Sequence, residues 1–321
     1  MIPDTASLFL QIPHIQTNGG GNLEQRLDAI HIISFMPYNG IYQIFNVAEM
    51  SKIAGIGKSS RIKLSKVLER YPRLISAASV AEVLGVAPSE ANRVLARWSQ
   101  SGWVNRVKRG LYSPVSLDTG ASTLALEEPF LVADTIYGPG YVGGFSAVKH
   151  WDLSEQIIET VYYFTTRQVM DRNPIHGSVQ FKLKTVKAAK MFGLKAIWIG
   201  SKKINVSDAT KTIVDILNDP KLVGGMSIVY DIFKEYCESE YCDFQKLLDY
   251  CHKMENKTIF KRLGFMIDTK MANIPKELNS LEKLISTGYS NFDPLIKKNH
   301  IIEKWKIKAP VSWVEEYDRK K

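Results

Sequence analysis

Four polar side chains within one short segment have the types and the spacing to contact DNA bases. These are Ser89, Asn92, Arg93 and Arg97. Arginine and asparagine form bidentate hydrogen bonds with guanine and adenine edges in the major groove. The apolar residues among them follow the i, i+3, i+4, i+7 spacing of a helix: Ala91, Val94, Leu95 and Trp98. The polar group is therefore predicted to occupy the opposite, outer face of that helix.

A second group of cations follows where the sequence predicts a β-hairpin. Residues 103–107 alternate as a strand does, residues 111–115 return, and three cations lie at or near the tip: Arg106, Lys108 and Arg109. A basic hairpin behind a DNA-reading helix is typical of a wing, which contacts phosphates or the minor groove.

Positive charge is concentrated in the same region. Residues 50–115 contain 12 Lys and Arg against 3 Glu, and the resulting excess of +9 equals the net charge of the whole chain. Such a concentration is expected of a surface that meets phosphates. A basic face that serves only solubility is the alternative.

Three predicted helices must position these side chains. Residues 61–71 form the first, 76–84 the second, and Pro88 begins the third, which ends at Gly102. Gly85 supplies the positive φ that a tight turn between the last two helices requires. Ser76 and Ser79 complete the set of candidate DNA contacts, and either hydroxyl also suits a helix N-cap. The order predicts a winged helix-turn-helix.

Two aspartates and a lysine further along suggest a different chemistry. Asp208 and Asp215, with Lys203 nearby, are residue types found in metal-dependent nuclease centres. The simpler interpretation gives Asp208 a favourable charge at a helix N-terminus capped by Ser207, with Asp215 on the surface. A nuclease directed to DNA by the winged helix is therefore the alternative function.

Other motifs carry little chemistry. Residues 138–143 have the letters G-x-G-x-x-G but follow a helical pattern, so we interpret them as a turn into a short strand and helix. Residues 55–59 resemble the end of a P-loop but lack its first glycine. The spacing of Cys237, Cys242, Cys251 and His252 fits no standard zinc motif. We expect no cofactor and no bound metal, and the low cysteine content and absence of a long apolar run favour a cytoplasmic protein.

The predicted fold class is α+β, with an N-terminal winged helix-turn-helix and a mixed α/β domain whose C-terminal part is helical. The predicted organisation is an extension of uncertain role at 1–49, the DNA-binding domain at 50–115, a polar linker at 116–122 and an α+β domain at 123–321. We expect natural translation to start at Met50; an arm packed on the body or on a second subunit is the alternative. Within the second domain, we expect a helix at 277–286 and an irregular final 35 residues.

The order of motifs resembles the AbiEi antitoxins of abortive-infection systems. The resemblance is carried by Val107–Tyr112, Tyr141–Leu153 and Val206–Leu217, followed by Asp219–Pro220, Gly224–Gly225 and Lys261–Gly264. These stretches span about 60–270, and their order is more specific than any one of them. The extension at 1–49 is not part of the usual pattern.

The resemblance implies a bacterial repressor and antitoxin of type IV that binds inverted repeats in its own promoter. The second domain would neutralise a co-encoded nucleotidyltransferase-like toxin without forming a stable complex with it. Double-stranded DNA and that toxin are thus the implied partners.

Overall fold

The computed structural model divides the chain into two compact units, residues 1–54 and 55–321. In the first unit it describes β1 (Ile33–Ser34) paired with β4 (Phe45–Asn46), and β2 (Pro37–Tyr38) paired with β3 (Ile41–Tyr42). The second unit is described over residues 55–115, 127–177, 179–273, 275–297 and 299–320. The expected start at Met50 and the linker at 116–122 lie outside the described residues.

A winged helix opens the second unit. Its elements are α1 (Lys58–Arg70), β5 (Ile75–Ser76), α2 (Ala77–Leu84), α3 (Pro88–Gln100), β6 (Val104–Lys108) and β7 (Leu111–Pro114). The three strands form an antiparallel sheet in the order β5-β7-β6. The apolar stripes predicted for α1 and α3 meet in one core through Leu64, Val67, Val94, Leu95 and Trp98.

Local sequence signals set the boundaries of these helices. Gly85 ends α2 with φ +64°, the left-handed conformation that glycine adopts without a Cβ clash, and Pro88 stands in the first turn of α3. α1 begins at Lys58, three residues before the predicted start. The added turn contains Ser60, whose Oγ accepts a hydrogen bond of 2.9 Å from Trp98 Nε1, a long-range contact that periodicity does not show.

The second domain is built on a six-stranded mixed sheet in the order β10-β11-β9-β8-β13-β12. Its strands are β8 (Gly140–Val142), β9 (Val161–Thr165), β10 (Ile175–His176), β11 (Val179–Thr185), β12 (Leu194–Ile199) and β13 (Lys202–Ser207). Two helices, α4 (Glu127–Tyr137) and α5 (Gly144–His150), flank β8 in sequence. Residues 138–143 therefore form the predicted turn into a strand, with α5 following.

The two faces of this sheet bury different cores, because successive side chains on a strand point to opposite faces. Tyr162 and Phe164 of β9 join the core that contains α5 and the C-terminal helices. Tyr163, on the other face, joins the core formed with α4. The wing residues Val107 and Leu111 belong to this second core rather than to that of the winged helix. The winged helix therefore packs on the α4 side of the sheet.

Four helices follow the sheet: α6 (Ala209–Asn218), α7 (Met226–Glu238), α8 (Phe244–Lys253) and α9 (Thr258–Lys270). All lie close to the positions that the sequence predicts, which are 207–218 and about 226–238, 243–254 and 256–267. The helix predicted at 277–286 is wrong, since that segment contains two short 3-10 turns, Lys276–Leu278 and Leu281–Leu284. Only Leu278 and Leu281 are buried there, too few for the continuous apolar stripe that stabilises a surface helix.

The C-terminal segment is ordered, contrary to the expectation of an irregular end. It forms β14 (Ser290–Asn291), β15 (His300–Ile302) and β16 (Ile307–Ala309), which pair in the order β14-β16-β15, and then α10 (Val311–Lys320). The cause is aromatic packing: the ring of Trp313 lies 4.7 Å from that of Phe292, which in turn contacts Phe265 of α9 at 4.9 Å. The mixed helices and strands confirm the α+β class.

Candidate nucleic-acid interface

The outer face of α3 presents the four side chains that the sequence predicted as base contacts. Ser89, Asn92, Arg93 and Arg97 are all exposed, whereas Ala91, Val94, Leu95 and Trp98 are buried on the inner face. The two arginine side chains are 74% and 67% exposed, so both guanidinium groups are free to reach a ligand. The second helix of a helix-turn-helix thus carries its polar face outward, the arrangement that lets such a helix enter the major groove.

Glu90 forms ion pairs with both arginines, a contact that sequence reasoning missed. Its Oε2 lies 3.1 Å from Arg93 Nη1 and its Oε1 lies 3.3 Å from Arg97 Nη2. Exposed ion pairs of this kind contribute only ~0–1 kcal/mol, so DNA can displace them. The spacing i, i+3 and i+7 on one helix face was the available signal.

Asn92 is likewise engaged on the helix itself. Its Nδ2 donates a hydrogen bond of 2.9 Å to the carbonyl oxygen of Pro88. Since that bond is exposed, water or a base edge can replace it at little cost. The candidate base contacts are therefore oriented by their own helix.

The three cations of the wing are exposed to solvent. Arg106, Lys108 and Arg109 are exposed around a two-residue turn in which Gly110 adopts φ +80°. The pairing of β6 with β7 shifts register between Arg106 and Lys108, which marks a β-bulge at Val107. The bulge increases local twist.

The second domain braces the wing through His176. A hydrogen bond joins the His176 ring to the backbone of Val107, and Tyr137 Oη lies 2.6 Å from His176 Nε2. Partial burial, and then the nearby charge of Lys108, lower the pKa of His176 below its usual 6.5, against opposing contributions from the hydrogen bond to Val107 and from Asp171. The position of the wing thus depends on a titratable side chain of the other domain.

Ser76 and Ser79 form a reciprocal cap at the start of α2. Ser79 N donates to Ser76 Oγ at 3.0 Å, and Ser76 N donates to Ser79 Oγ at 3.4 Å. Both residues also line a cavity of about 170 Å³ shared with Leu131 and Lys202 of the second domain. Their capping role follows from these contacts, and their contact with DNA stays a prediction.

The alternative catalytic residues are not arranged as an open metal site. Asp208, and not Ser207 as predicted, caps α6: its Oδ1 accepts from Lys211 N at 2.7 Å, and its Oδ2 lies 2.9 Å from Lys246 Nζ. Asp215 is 3% exposed, which overturns its expected surface position, and it pairs with the fully buried Lys211. Lys203 is exposed on β13.

The buried carboxyl group of Asp215 is satisfied by two side-chain donors. Besides Lys211, Tyr141 Oη donates to Asp215 Oδ2 at 3.0 Å, and burial beside this carboxylate raises the pKa of Tyr141 well above its usual 10.0. A buried charge without such partners would be strongly destabilising. The pair therefore acts as an internal anchor of α6.

The cysteines lie in the helical part of the domain. Burial raises the pKa of the Cys237 and Cys251 thiols to about 12, which disfavours the thiolate that metal ligation needs. Within the part of the chain that the structure describes, no cluster of three or more His, Cys, Asp or Glu side chains is suited to hold a metal ion. Nor does that part contain a helix long and apolar enough to cross a membrane.

Comparisons with known proteins agree with this geometry. Residues 63–115 match the family model described as transcriptional regulator, AbiEi antitoxin. No protein of curated function matches the chain. Among solved structures, the chain is similar to the RV2827C protein from Mycobacterium tuberculosis, with 13% identity and a TM-score of 0.59 over 84% of this chain and 97% of that one. At this identity the likeness shows a shared fold. The family match thus covers most of the winged helix, from within α1 to the end of β7.

Proposed function

We propose that this protein is a DNA-binding transcriptional repressor and the antitoxin of a type IV toxin-antitoxin system of the AbiE kind. The observation that supports DNA binding is the exposed polar face of α3, with Arg93 and Arg97 beside the cationic wing. Guanidinium groups on the exposed face of a helix can form bidentate hydrogen bonds with guanine edges in the major groove. The family match of this same segment supports the regulatory role.

The proposed target is inverted repeats in the protein's own promoter, and the proposed functional partner is a nucleotidyltransferase-like toxin. The antitoxin activity is assigned to the second domain, residues 123–321, as the family resemblance implies, and its separate six-stranded sheet supports treating it as a distinct module. Action in the cytoplasm, without a stable antitoxin–toxin complex, belongs to the same proposal.

The experiment is a gel-shift titration of the full chain with its promoter duplex and with a scrambled duplex of equal length. Preferential binding of the promoter, by about 10³-fold or more at physiological salt, is the range of specific DNA-binding proteins. Equal affinity for both duplexes would refute promoter recognition. In parallel, cells that express the adjacent toxin gene are expected to survive only when this chain is co-expressed.

A separate incubation with supercoiled plasmid and Mg²⁺ or Mn²⁺ distinguishes a regulator from a nuclease. We expect the plasmid to remain supercoiled, because Asp208 and Asp215 are both held by protein donors. Nicking that disappears in an Asp208→Asn variant would instead support the nuclease.

A further inference from the structure

A basic groove lies on the second domain, on the sheet face opposite the winged helix. It has a volume of about 400 Å³ and runs beside Tyr162 and Phe164 of β9, at the point where α6 ends. Those two rings belong to the core on the side of α5 and α6, whereas Val107 and Leu111 of the wing lie in the core on the other face. The groove is therefore separate from the DNA-binding surface.

Positive charge dominates the groove. Four cations line it, Arg172, Lys182, Lys184 and Lys221, and one carboxylate, Asp219. Lys184 Nζ lies 2.6 Å from Asp219 Oδ2, so this pair is neutral. Among the described residues, the other three cations form no ion pair, and the groove keeps an excess of three positive charges. The chain outside residues 50–115 has no net charge, so this excess is a local concentration.

The framework of the groove fixes where these cations stand. β11 pairs with β9 in parallel register, which sets Lys182 opposite Tyr162 and Lys184 opposite Phe164. The two ammonium groups lie 5.1 Å and 5.7 Å from the centres of those rings, and Lys182 Nζ also donates to Tyr162 Oη at 3.1 Å. Cation–π contact of this kind holds a lysine along a ring without neutralising its charge.

The loop that brings in the arginine is also attached to the sheet. The carbonyl oxygen of Arg172 accepts a hydrogen bond of 2.8 Å from Leu183 N, and that of Pro174 accepts one of 2.9 Å from Phe181 N. The guanidinium of Arg172 therefore projects from an anchored backbone. Lys221 enters from the 3-10 turn Pro220–Leu222 that follows α6.

We propose that this groove binds a small ligand that carries an oligophosphate, of the class of nucleoside diphosphates and triphosphates. Arginine forms bidentate bonds with phosphate oxygens, and lysine supplies a compact charge, so the three unneutralised cations suit two or more phosphate groups. The cations converge on one concave site instead of following an extended stripe, which favours a small molecule over a nucleic-acid backbone. This site does not depend on the proposed DNA-binding function.

Binding is tested by isothermal titration calorimetry of the full chain with inorganic tripolyphosphate and with ATP, both without divalent cations. We expect one site per chain. The triple variant Arg172→Ala, Lys182→Ala, Lys221→Ala is expected to bind at least about tenfold more weakly, because it removes the three unneutralised cations of the groove. The matched control Lys234→Ala, Lys276→Ala, Lys283→Ala removes the same charge from exposed positions outside the groove and should bind as the wild type does.

The ligand source and the competing explanations give different results. Tighter binding of ATP than of tripolyphosphate identifies a nucleotide, and equal binding identifies the oligophosphate itself; both support the proposal. Equal losses in the groove variant and the control would show non-specific charge attraction and overturn it. Displacement of tripolyphosphate by a DNA duplex, together with weaker DNA binding of the groove variant, would assign the groove to nucleic acid and also overturn it.

Folding of the variant is checked by its melting temperature. Should the triple variant unfold, the single change Lys221→Glu serves instead. Lys221 is exposed, and the substitution reverses the charge at the rim of the groove. It is expected to weaken tripolyphosphate binding while promoter binding stays unchanged. Unaltered tripolyphosphate binding by a folded Lys221→Glu protein would refute the site.

Discussion

At the scale of single residues, the candidate base contacts of α3 are held by contacts with their own helix. Arg93 and Arg97 share Glu90, and Asn92 bonds to its own helix. These contacts keep long side chains in a few conformations, so less rotamer entropy is lost when a base replaces the internal partner. If α3 binds DNA as proposed, we expect the affinity to reflect the difference between these internal contacts and the contacts with bases that replace them.

Arg93→Ala and Arg97→Ala are each expected to weaken promoter binding by ~1–3 kcal/mol, the value of a good base contact. Sequence preference should relax at the base pair that each arginine contacts. Gel-shift titrations against single-base variants of the promoter measure both effects. Wild-type affinity in both mutants would show that α3 is not the recognition helix; Lys276→Ala serves as the control.

Glu90→Gln is expected to act in the opposite direction. The amide keeps the size of the side chain but removes a negative charge that stands between the two arginines and competes with phosphate. We expect affinity to rise for promoter and scrambled duplex alike, by several-fold at low salt, because the pairs it breaks are worth only ~0–1 kcal/mol. A fall in affinity for both duplexes would mean that Glu90 orients the arginines more than it opposes DNA.

At the scale of elements, the wing has one exposed cationic side and one side that packs on its own protein. Its exposed cations face away from a base formed by Val107 and Leu111, which lie in the core of the second domain. A hairpin held in this way presents charge without the mobility of a free loop. Contacts from a wing to phosphates position the protein but carry no direct sequence information.

Changing Lys108 and Arg109 together to Ala is therefore expected to weaken binding to all sequences alike. Each lost phosphate contact should flatten the slope of log K against log salt by ~0.9. The measurement is the affinity for promoter and scrambled duplexes at salt concentrations between about 50 and 200 mM. A loss restricted to the promoter would instead assign base reading to the wing.

The attachment of the wing should also depend on pH. Because the pKa of His176 lies below 6.5 in the folded protein, the unfolded chain binds more protons once the pH falls below that value. The stability that neutral His176 contributes is present above pH ~6.5 and is lost as the pH falls towards the folded pKa. The melting temperature of the wild type should therefore drop more on acidification than that of His176→Gln. Equal drops in the two proteins would remove His176 from this role; His300→Gln, at an exposed position, is the control.

At the scale of the whole molecule, the DNA-binding and antitoxin activities are expected to separate. A fragment of residues 50–118 carries a net charge of +8, nearly the whole excess of the chain, and should keep weak, salt-sensitive DNA binding but fail to protect cells from the toxin. The structure adds that Val107 and Leu111 lose their partners in this fragment, so its stability should also fall. Gel shifts and toxin co-expression test the separation. Full protection by the fragment would show that the second domain is not the antitoxin module.

Much of the fold was predictable from local pattern. Apolar periodicity predicted α1 and α3, and the glycine and proline at Gly85 and Pro88 set the turn between α2 and α3. These signals succeed because each depends on a residue's own backbone preference or on neighbours within one turn. The N-cap of α6 was predicted at Ser207 but lies one position later, at Asp208. The sequence could not separate the two, since both side chains suit an N-cap.

The sequence by itself determined three features that are expected of a DNA-binding surface. These are an exposed arginine face on α3, a cationic wing and a net charge excess located in residues 50–115. The tertiary structure alone decided what those residues touch. Trp313 orders the C-terminal segment by packing on Phe292, and Asp215 lies buried against Lys211. Lys182 and Lys184 meet Arg172 and Lys221 in one groove. The physical reason is distance along the chain: composition and periodicity report local preference, whereas burial, ion pairing and convergent charge depend on segments brought together only by packing.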